Sequence, residues 1–219
     1  VLKRGGVVAF PTDTVYGIGV DALGDKAIRK IYLLKGRRTR KPLVLFVRDR
    51  SELRRYVKGL PKTTEGLFNS YVPGALTLIL RASSRAPKEL VRKGTIGVRI
   101  PDHPLVLKLL ERYGGPLATT SANLGEMAPA LSANEVDSSL GGKVDLILDG
   151  GRSGSAIPST VLDVSRYPPR LLRKGKIPML SIEKSMGRKV KVGMGLSLNL
   201  LFICTGNLCR SPLAKGILE

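Results

Sequence analysis

The sequence predicts an α/β domain built on a mixed sheet, and two observations carry the prediction. Short aliphatic or β-branched runs recur along the 219 residues, several of them ending at proline or in a cluster of hydroxyls. Helix-spaced apolar positions separate only some of these runs, so parallel crossovers cannot join them all and a strictly doubly wound sheet is the poorer fit. A hydrophobic content of 42% supports a real core, and with 5% aromatics and no Trp that core is aliphatic. The length suits one large domain, or one domain and part of another.

Taken in order, Val7-Val8-Ala9 is a buried strand that runs into Phe10-Pro11-Thr12-Asp13-Thr14-Val15-Tyr16-Gly17. Pro11 lacks the N–H that a strand interior needs. The hydroxyls and the carboxylate beyond it have two readings, an Asx or Ser/Thr turn that satisfies its own backbone, or polar groups converging on a small ligand. From Asp25 to Lys35, Ala27, Ile28, Ile31 and Leu34 lie on one helical face. A basic loop, Lys35 to Pro42, leads to a second strand over Leu43 to Val47. Ser51 is expected to cap a short helix, and Thr63 or Thr64 another that ends at Tyr71. Pro73-Gly74 turns the chain into the strand Ala75 to Leu80. Thr95 to Pro101 is a strand, Pro104 to Leu110 an apolar helix, and Pro116 to Asn123 a strand ending in hydroxyls. Strands over Val144 to Leu148 and Ser159 to Val164 precede Arg170 to Gly175, which closes the compact part. Ser181 to Ser197 shows no periodicity and reads as a basic linker between a first domain, 1–180, and a segment 198–219.

With 37 Lys and Arg against 17 Asp and Glu, the formal charge is +20. That imbalance suits nucleic acid, nucleotides or phosphorylated substrates, or equally a solubilising surface. No apolar run reaches membrane-spanning length and no signal peptide is visible, so a cytoplasmic protein without membrane partners is expected; Val1 is not an initiator Met. Cys204 and Cys209 share one short loop, which argues for thiol chemistry rather than a disulfide framework.

Four strand ends carry similar content: Thr14 with Tyr16; Arg99; Thr119, Thr120, Ser121 and Asn123; Ser159 with Thr160. Lys35, Arg37, Lys41 and Arg173 add cations. Open α/β sheets bind ligands beyond strand ends, so this set describes a pocket for an anion. No glycine fingerprint for phosphate precedes a helix here, and side chains must do the holding.

The segments Gly6 to Gly17, Lys35-Gly36-Arg37, Gly97-Val98-Arg99-Ile100-Pro101, Thr120-Ser121-Ala122-Asn123 and Ser159-Thr160-Val161 resemble, in order, the YrdC-like threonylcarbamoyl-AMP synthase family, up to about Gly175. The resemblance implies a twisted mixed sheet with helices around a concave cavity. It implies formation of threonylcarbamoyl-AMP and pyrophosphate from L-threonine, bicarbonate and ATP, with Mg²⁺ accompanying ATP. The product would serve tRNA threonylcarbamoyladenosine modification, with tRNA and threonylcarbamoyl-transferring proteins as partners. It further implies that Lys35, Arg37, Ser121 and Asn123 form the catalytic nucleotide set, that Lys41, Thr95, Thr119 and Arg173 also face ATP, and that Thr14, Tyr16, Arg99 and Ser159 hold threonine. No metal-binding residues are expected, and His103 reads as structural. One branch of the family has Asn in place of Lys41 and His in place of Phe46; this chain sides with the other branch. For Lys41 both a solvated loop charge and a phosphate contact stand.

Leu198 to Ile203 is an apolar strand leading to Cys204-Thr205-Gly206-Asn207-Leu208-Cys209-Arg210-Ser211-Pro212 and a helix-like tail. The loop's N–H groups and the helix start would make an anion nest, Arg210 a phosphate clamp and Cys204 a thiolate nucleophile. This strand-loop-helix fragment resembles the start of a low-molecular-weight protein tyrosine phosphatase, in which Ser211 would hydrogen-bond the thiolate. The chain ends before that family's general acid, so a cut phosphatase domain without useful turnover is expected. Two other functions compete with the synthase: a non-catalytic RNA-binding protein using the basic concave surface, and a phosphatase with a regulatory first domain.

Overall fold

The computed structural model describes residues 1–36, 42–125, 127–193 and 196. Ten strands form one sheet in these residues: β1 (Val8–Phe10), β2 (Gly17–Asp21), β3 (Val44–Phe46), β4 (Leu76–Arg81), β5 (Thr95–Arg99), β6 (Leu117–Ser121), β7 (Leu146–Ile147), β8 (Thr160–Asp163), β9 (Arg170–Arg173) and β10 (Lys191–Val192). Their order is β10-β9-β8-β4-β5-β3-β6-β2-β1-β7. β1/β7, β3/β5, β4/β8 and β9/β10 pair in parallel and the rest antiparallel, so the sheet is mixed, as the missing crossover helices require.

Six helices flank it: α1 (Asp25–Leu34), α2 (Arg50–Tyr56), α3 (Glu65–Tyr71), α4 (Pro104–Tyr113), α5 (Ala133–Leu140) and α6 (Met179–Met186). α1 buries the predicted stripe of Ala27, Ile28 and Ile31; each isoleucine removed from water contributes about 1.5–3 kcal/mol. β1 shows the period-2 alternation of a strand covered on both faces. Val7 and Ala9 enter the main core, while Val8 and Phe10 join Phe46, Val106, Leu110 and Leu117 in a second cluster, to which α4 contributes. No helix among the described residues is long and apolar enough to cross a membrane.

Four expectations change. β2 was hidden because its alternation is interrupted by Gly17 and Gly19; a Cβ at Gly19 would lie 2.9 Å from the Phe10 ring, so the ring's place requires glycine. α2 is capped by Asp49, whose carboxylate accepts from Glu52 N at 2.8 Å, and Ser51 sits inside the helix. α5 was overlooked although Ser132 and Glu135 announce it: Ser132 Oγ accepts from Glu135 N, and the Glu135 carboxylate reaches back to Leu131 N. The stretch 181–197 is no free linker over its first part. α6 buries Ile182 and Met186, and β10 adds to β9 in parallel. Gly66 permits this, since any Cβ there would overlap the Ser185 carbonyl. The expected strand-loop-helix over 198–219 lies outside the described residues.

Candidate functional site

A cavity of about 400 Å³ opens over the middle of the sheet. Its walls come from neighbouring strands and their ends: Thr12 and Thr14 beyond β1, Thr119 to Ser121 on β6, Val44 and Phe46 on β3, Thr77 on β4 with Arg99 on β5, and Ser159 and Arg173 at the β8 and β9 ends. A groove of about 470 Å³ lies elsewhere, but its lining does not gather buried polar groups in this way. The site is therefore the smaller, central cavity.

Arg99 is 5% exposed and is held on three sides. Its Nη2 donates to Asp13 Oδ1 at 2.6 Å, Nη1 to Thr14 Oγ1 at 3.1 Å and Nε to the Gly74 carbonyl at 2.9 Å. The guanidinium carbon lies 5.5 Å from the Phe46 ring centroid. Burial pulls its pKa down and Asp13 offsets part of that pull; an arginine stays charged nonetheless. A guanidinium has five N–H groups, so two remain for a ligand.

Arg173 forms the other cationic wall. Its Nε and Nη2 donate to the Ser159 carbonyl at 3.0 and 2.8 Å, and Nη2 also to Ser159 Oγ at 2.8 Å. That hydroxyl meets Thr77 Oγ1 at 2.8 Å. Burial and then the charge of Arg99 lower the pKa of Arg173. Two guanidiniums thus feel each other across one cavity whose lining holds no carboxylate among the described residues, and Asp13 beside it is already paired with Arg99. Such a field favours an anion between them.

The turn after β6 is a closed network. Lys35, 4% exposed, donates from Nζ to Ser121 O, Asn123 O and Asn123 Oδ1 at 2.8, 2.6 and 2.7 Å. Ser121 Oγ shares Asn123 Oδ1 at 2.6 Å, and Asn123 Nδ2 donates to Met127 O at 2.6 Å. Lys35 is absent from the cavity lining, so its ammonium holds the turn that presents Ser121 and Asn123. These contacts of Lys35 are with the turn, where the resemblance implied the nucleotide.

Thr95 lies away from the cavity, and Tyr16 lines it with its proton already engaged. Thr95 begins β5 while Arg99 ends it; its hydroxyl donates to Arg92 O at 2.8 Å and it lines a different groove. Tyr16 sits in the wall, but its single proton goes to Gly151 O at 2.8 Å, on the loop after β7, and burial raises its pKa. The turn reading of 12–15 holds: Thr12 Oγ1 donates to Val15 O at 2.7 Å and accepts from Thr14 N, and Thr14 Oγ1 in turn accepts from Arg99. Thr77, a lone hydroxyl in an aliphatic strand, was not among the expected site residues, and the Asp13 carboxylate was expected only as one of the polar groups of the Phe10–Gly17 stretch. Arg37, Lys41, Cys204, Arg210 and Ser211 lie outside the described residues.

Fold and site define a mixed-sheet α/β protein with a cationic, hydroxyl-lined cavity over the sheet. The family profile described as Telomere recombination (Sua5/YciO/YrdC) matches residues 1–175, and the chain belongs to that family. It is similar to the threonylcarbamoyl-AMP synthase of Pyrococcus abyssi, 38% identical over 85% of this chain and 55% of the relative. It is likewise similar to that of Bacillus subtilis, 40% identical over 90% of this chain and 57% of the relative. The chain thus spans a little over half the length of these relatives. Among solved structures it superposes on P. abyssi Sua5 complexed with L-threonine with a TM-score of 0.85, at 36% identity, covering 91% of this chain and 60% of that one.

Proposed function

We propose that this chain makes threonylcarbamoyl-AMP from L-threonine, bicarbonate and ATP. The observation that carries the reading is the convergence of Arg99 and Arg173 with Thr14, Ser159, Thr119 and Ser121 on one cavity. The likeness to a threonine-bound relative supports it. In this reading the remaining N–H groups of Arg99 take the threonine carboxylate, beside Thr14 and Ser159. Arg173 Nη1, Thr119, Ser121 and the Asn123 turn face the nucleotide, with Arg37 and Lys41 supplying charge from the basic loop. The threonine amine condenses with bicarbonate, losing water, and an oxygen of the resulting carbamate attacks the α-phosphorus as the bond to pyrophosphate breaks. Fixed cations stabilise the charge of that in-line transfer. In this reading Mg²⁺ arrives with the phosphates of ATP, as part of the substrate. The product would pass to proteins that transfer threonylcarbamoyl to tRNA, in the cytoplasm.

The test is incubation with ATP, Mg²⁺, L-threonine and labelled bicarbonate. Pyrophosphate release that needs threonine and bicarbonate together, with a labelled adenylate, is expected. Equal release without threonine sinks the reading. Serine should work less well, since one methyl in a small pocket is worth about 1–3 kcal/mol.

We propose in addition that residues 198–219 open a phosphatase domain, on the Cys204-x5-Arg210-Ser211-Pro212 pattern. A chain extended past Glu219 should hydrolyse an aryl phosphate and lose that activity with Cys204→Ser. Retained activity in that variant refutes the assignment.

A further inference from the structure

Away from the cavity, two open grooves of about 470 and 370 Å³ share Lys58. α2 and the β4–β5 hairpin are joined at this point: Lys58 N donates to Arg81 O at 2.9 Å and Ser83 N to Tyr56 O at 3.0 Å. Exposed cations line both grooves, Arg54, Lys58 and Lys62 in one and Lys58, Arg81, Lys93 and Arg166 in the other, and Glu65 is the one acid in either lining. Arg81 and Arg166 are positioned by the end of β8 and the loop after it, through Arg81 Nε to Ser165 O at 3.3 Å and Arg166 Nε to Asp163 Oδ2 at 2.9 Å. Lys93 sits at the tip of a two-residue hairpin closed by mutual Arg92/Thr95 hydrogen bonds. Its φ is 49° and that of Gly94 is 74°, a turn in which Asn, Asp or Gly is the ordinary first residue. A lysine is kept there against backbone preference.

We propose that these joined grooves bind the phosphodiester backbone of a single nucleic-acid strand, independently of the central cavity and of the activity assigned to it. Each exposed cation gains little from one phosphate, so only a partner that engages several at once gains affinity. Large exposed apolar side chains, which insertion into a membrane needs, are absent from both linings. Tyr167 follows Arg166 in sequence, is 81% exposed, and has the Arg188 guanidinium 6.0 Å from its ring centroid. It offers a stacking face that a base uses and an acidic peptide does not.

The test is fluorescence anisotropy of labelled 20-nucleotide RNA and DNA strands, with a polyglutamate peptide and anionic phospholipid vesicles as further arms. About four phosphate contacts on a single strand predict a roughly fifty-fold loss of affinity between 50 and 200 mM salt. Arg54→Glu/Lys58→Glu/Lys62→Glu should weaken strand binding at least tenfold and flatten the salt slope. Lys108→Glu/Arg112→Glu/Lys26→Glu, an equal change of charge elsewhere, should not. Lys93→Gly should weaken binding while leaving the Tm equal or higher, which separates lost contact from lost folding. Preference for RNA or DNA identifies the strand, and either supports the proposal. Equal losses in the groove and control variants overturn it in favour of net charge alone. Groove-dependent binding of vesicles or peptide without strand binding overturns it in favour of another partner.

Discussion

Arg99 and Asp13 offer the sharpest test of how the cavity is held together. The pair is 2.6 Å apart with side chains 5% and 12% exposed, so salt and water screen it little. Arg99→Met removes the cation and leaves the largely buried Asp13 carboxylate with Asp102 N, at 3.2 Å, as its remaining hydrogen-bond donor among the described residues. Breaking one partner of such a pair costs about 3–5 kcal/mol. For a domain of this size about 1 kcal/mol moves the Tm by roughly 2–4 °C, so the melt should fall by roughly 6–20 °C. Arg99→Met/Asp13→Asn removes the orphaned charge as well and should recover a large part of that loss, a coupling of about 2 kcal/mol or more. Threonine binding, followed by calorimetry, should stay absent in the double variant, because the fork that would take the carboxylate is still missing. Denaturant melts of wild type, both single variants and the double variant complete the cycle. If the double variant melts where Arg99→Met does, Asp13 is not what holds Arg99, and the account of the cavity as a pre-paired cation site is wrong. Threonine binding restored in the double variant would refute the role given to Arg99.

Lys35→Met should unfold markedly earlier, since Ser121 O and Asn123 O lose their charged donor, Asn123 Oδ1 keeps only Ser121 Oγ among the described residues, and a bond to a charged group contributes about 1.5–3 kcal/mol; an unchanged melt with lost nucleotide affinity would instead put the ammonium on phosphate. Gly175→Ala places a Cβ on the Pro158 carbonyl and the Ser159–Thr160 peptide, so it should cost about 1–3 kcal/mol and weaken threonine binding by displacing Ser159; wild-type values in both assays would contradict the close approach. Burial lowers the pKa of His103 from its ordinary value, with Asp13 and Asp102 opposing, and its buried Nδ1 has no hydrogen-bond partner among the described residues. A depressed folded pKa means the contribution is present above pH 6.5 and is lost as pH falls through the folded value, so Tm should decline from pH 7 to 5 and His103→Gln should flatten that decline. A slope identical in the variant would assign the acid sensitivity to other groups.

What the linear order determined was the inventory. Period-2 runs ending at Pro11 and Pro101, the helical stripe of Ala27, Ile28 and Ile31, and uneven helix spacing are local properties, and they led to a mixed α/β sheet with hydroxyls and arginines at strand ends. β2 escaped because its two glycines accommodate Phe10 from another strand, and α6 because what makes it a helix is contact with α3 across Gly66 and not its own periodicity. The uses of the polar groups were decided by tertiary structure alone. Lys35 spends its protons on acceptors 86 and 88 residues away, Tyr16 its hydroxyl on a carbonyl 135 residues away, and Arg99 is oriented by Asp13 at a separation of 86. A donor's residue type states how many bonds it can make; which of them remain for a ligand depends on the neighbours that folding delivers, and Thr95 and Arg99, on one strand, end at opposite edges of that decision.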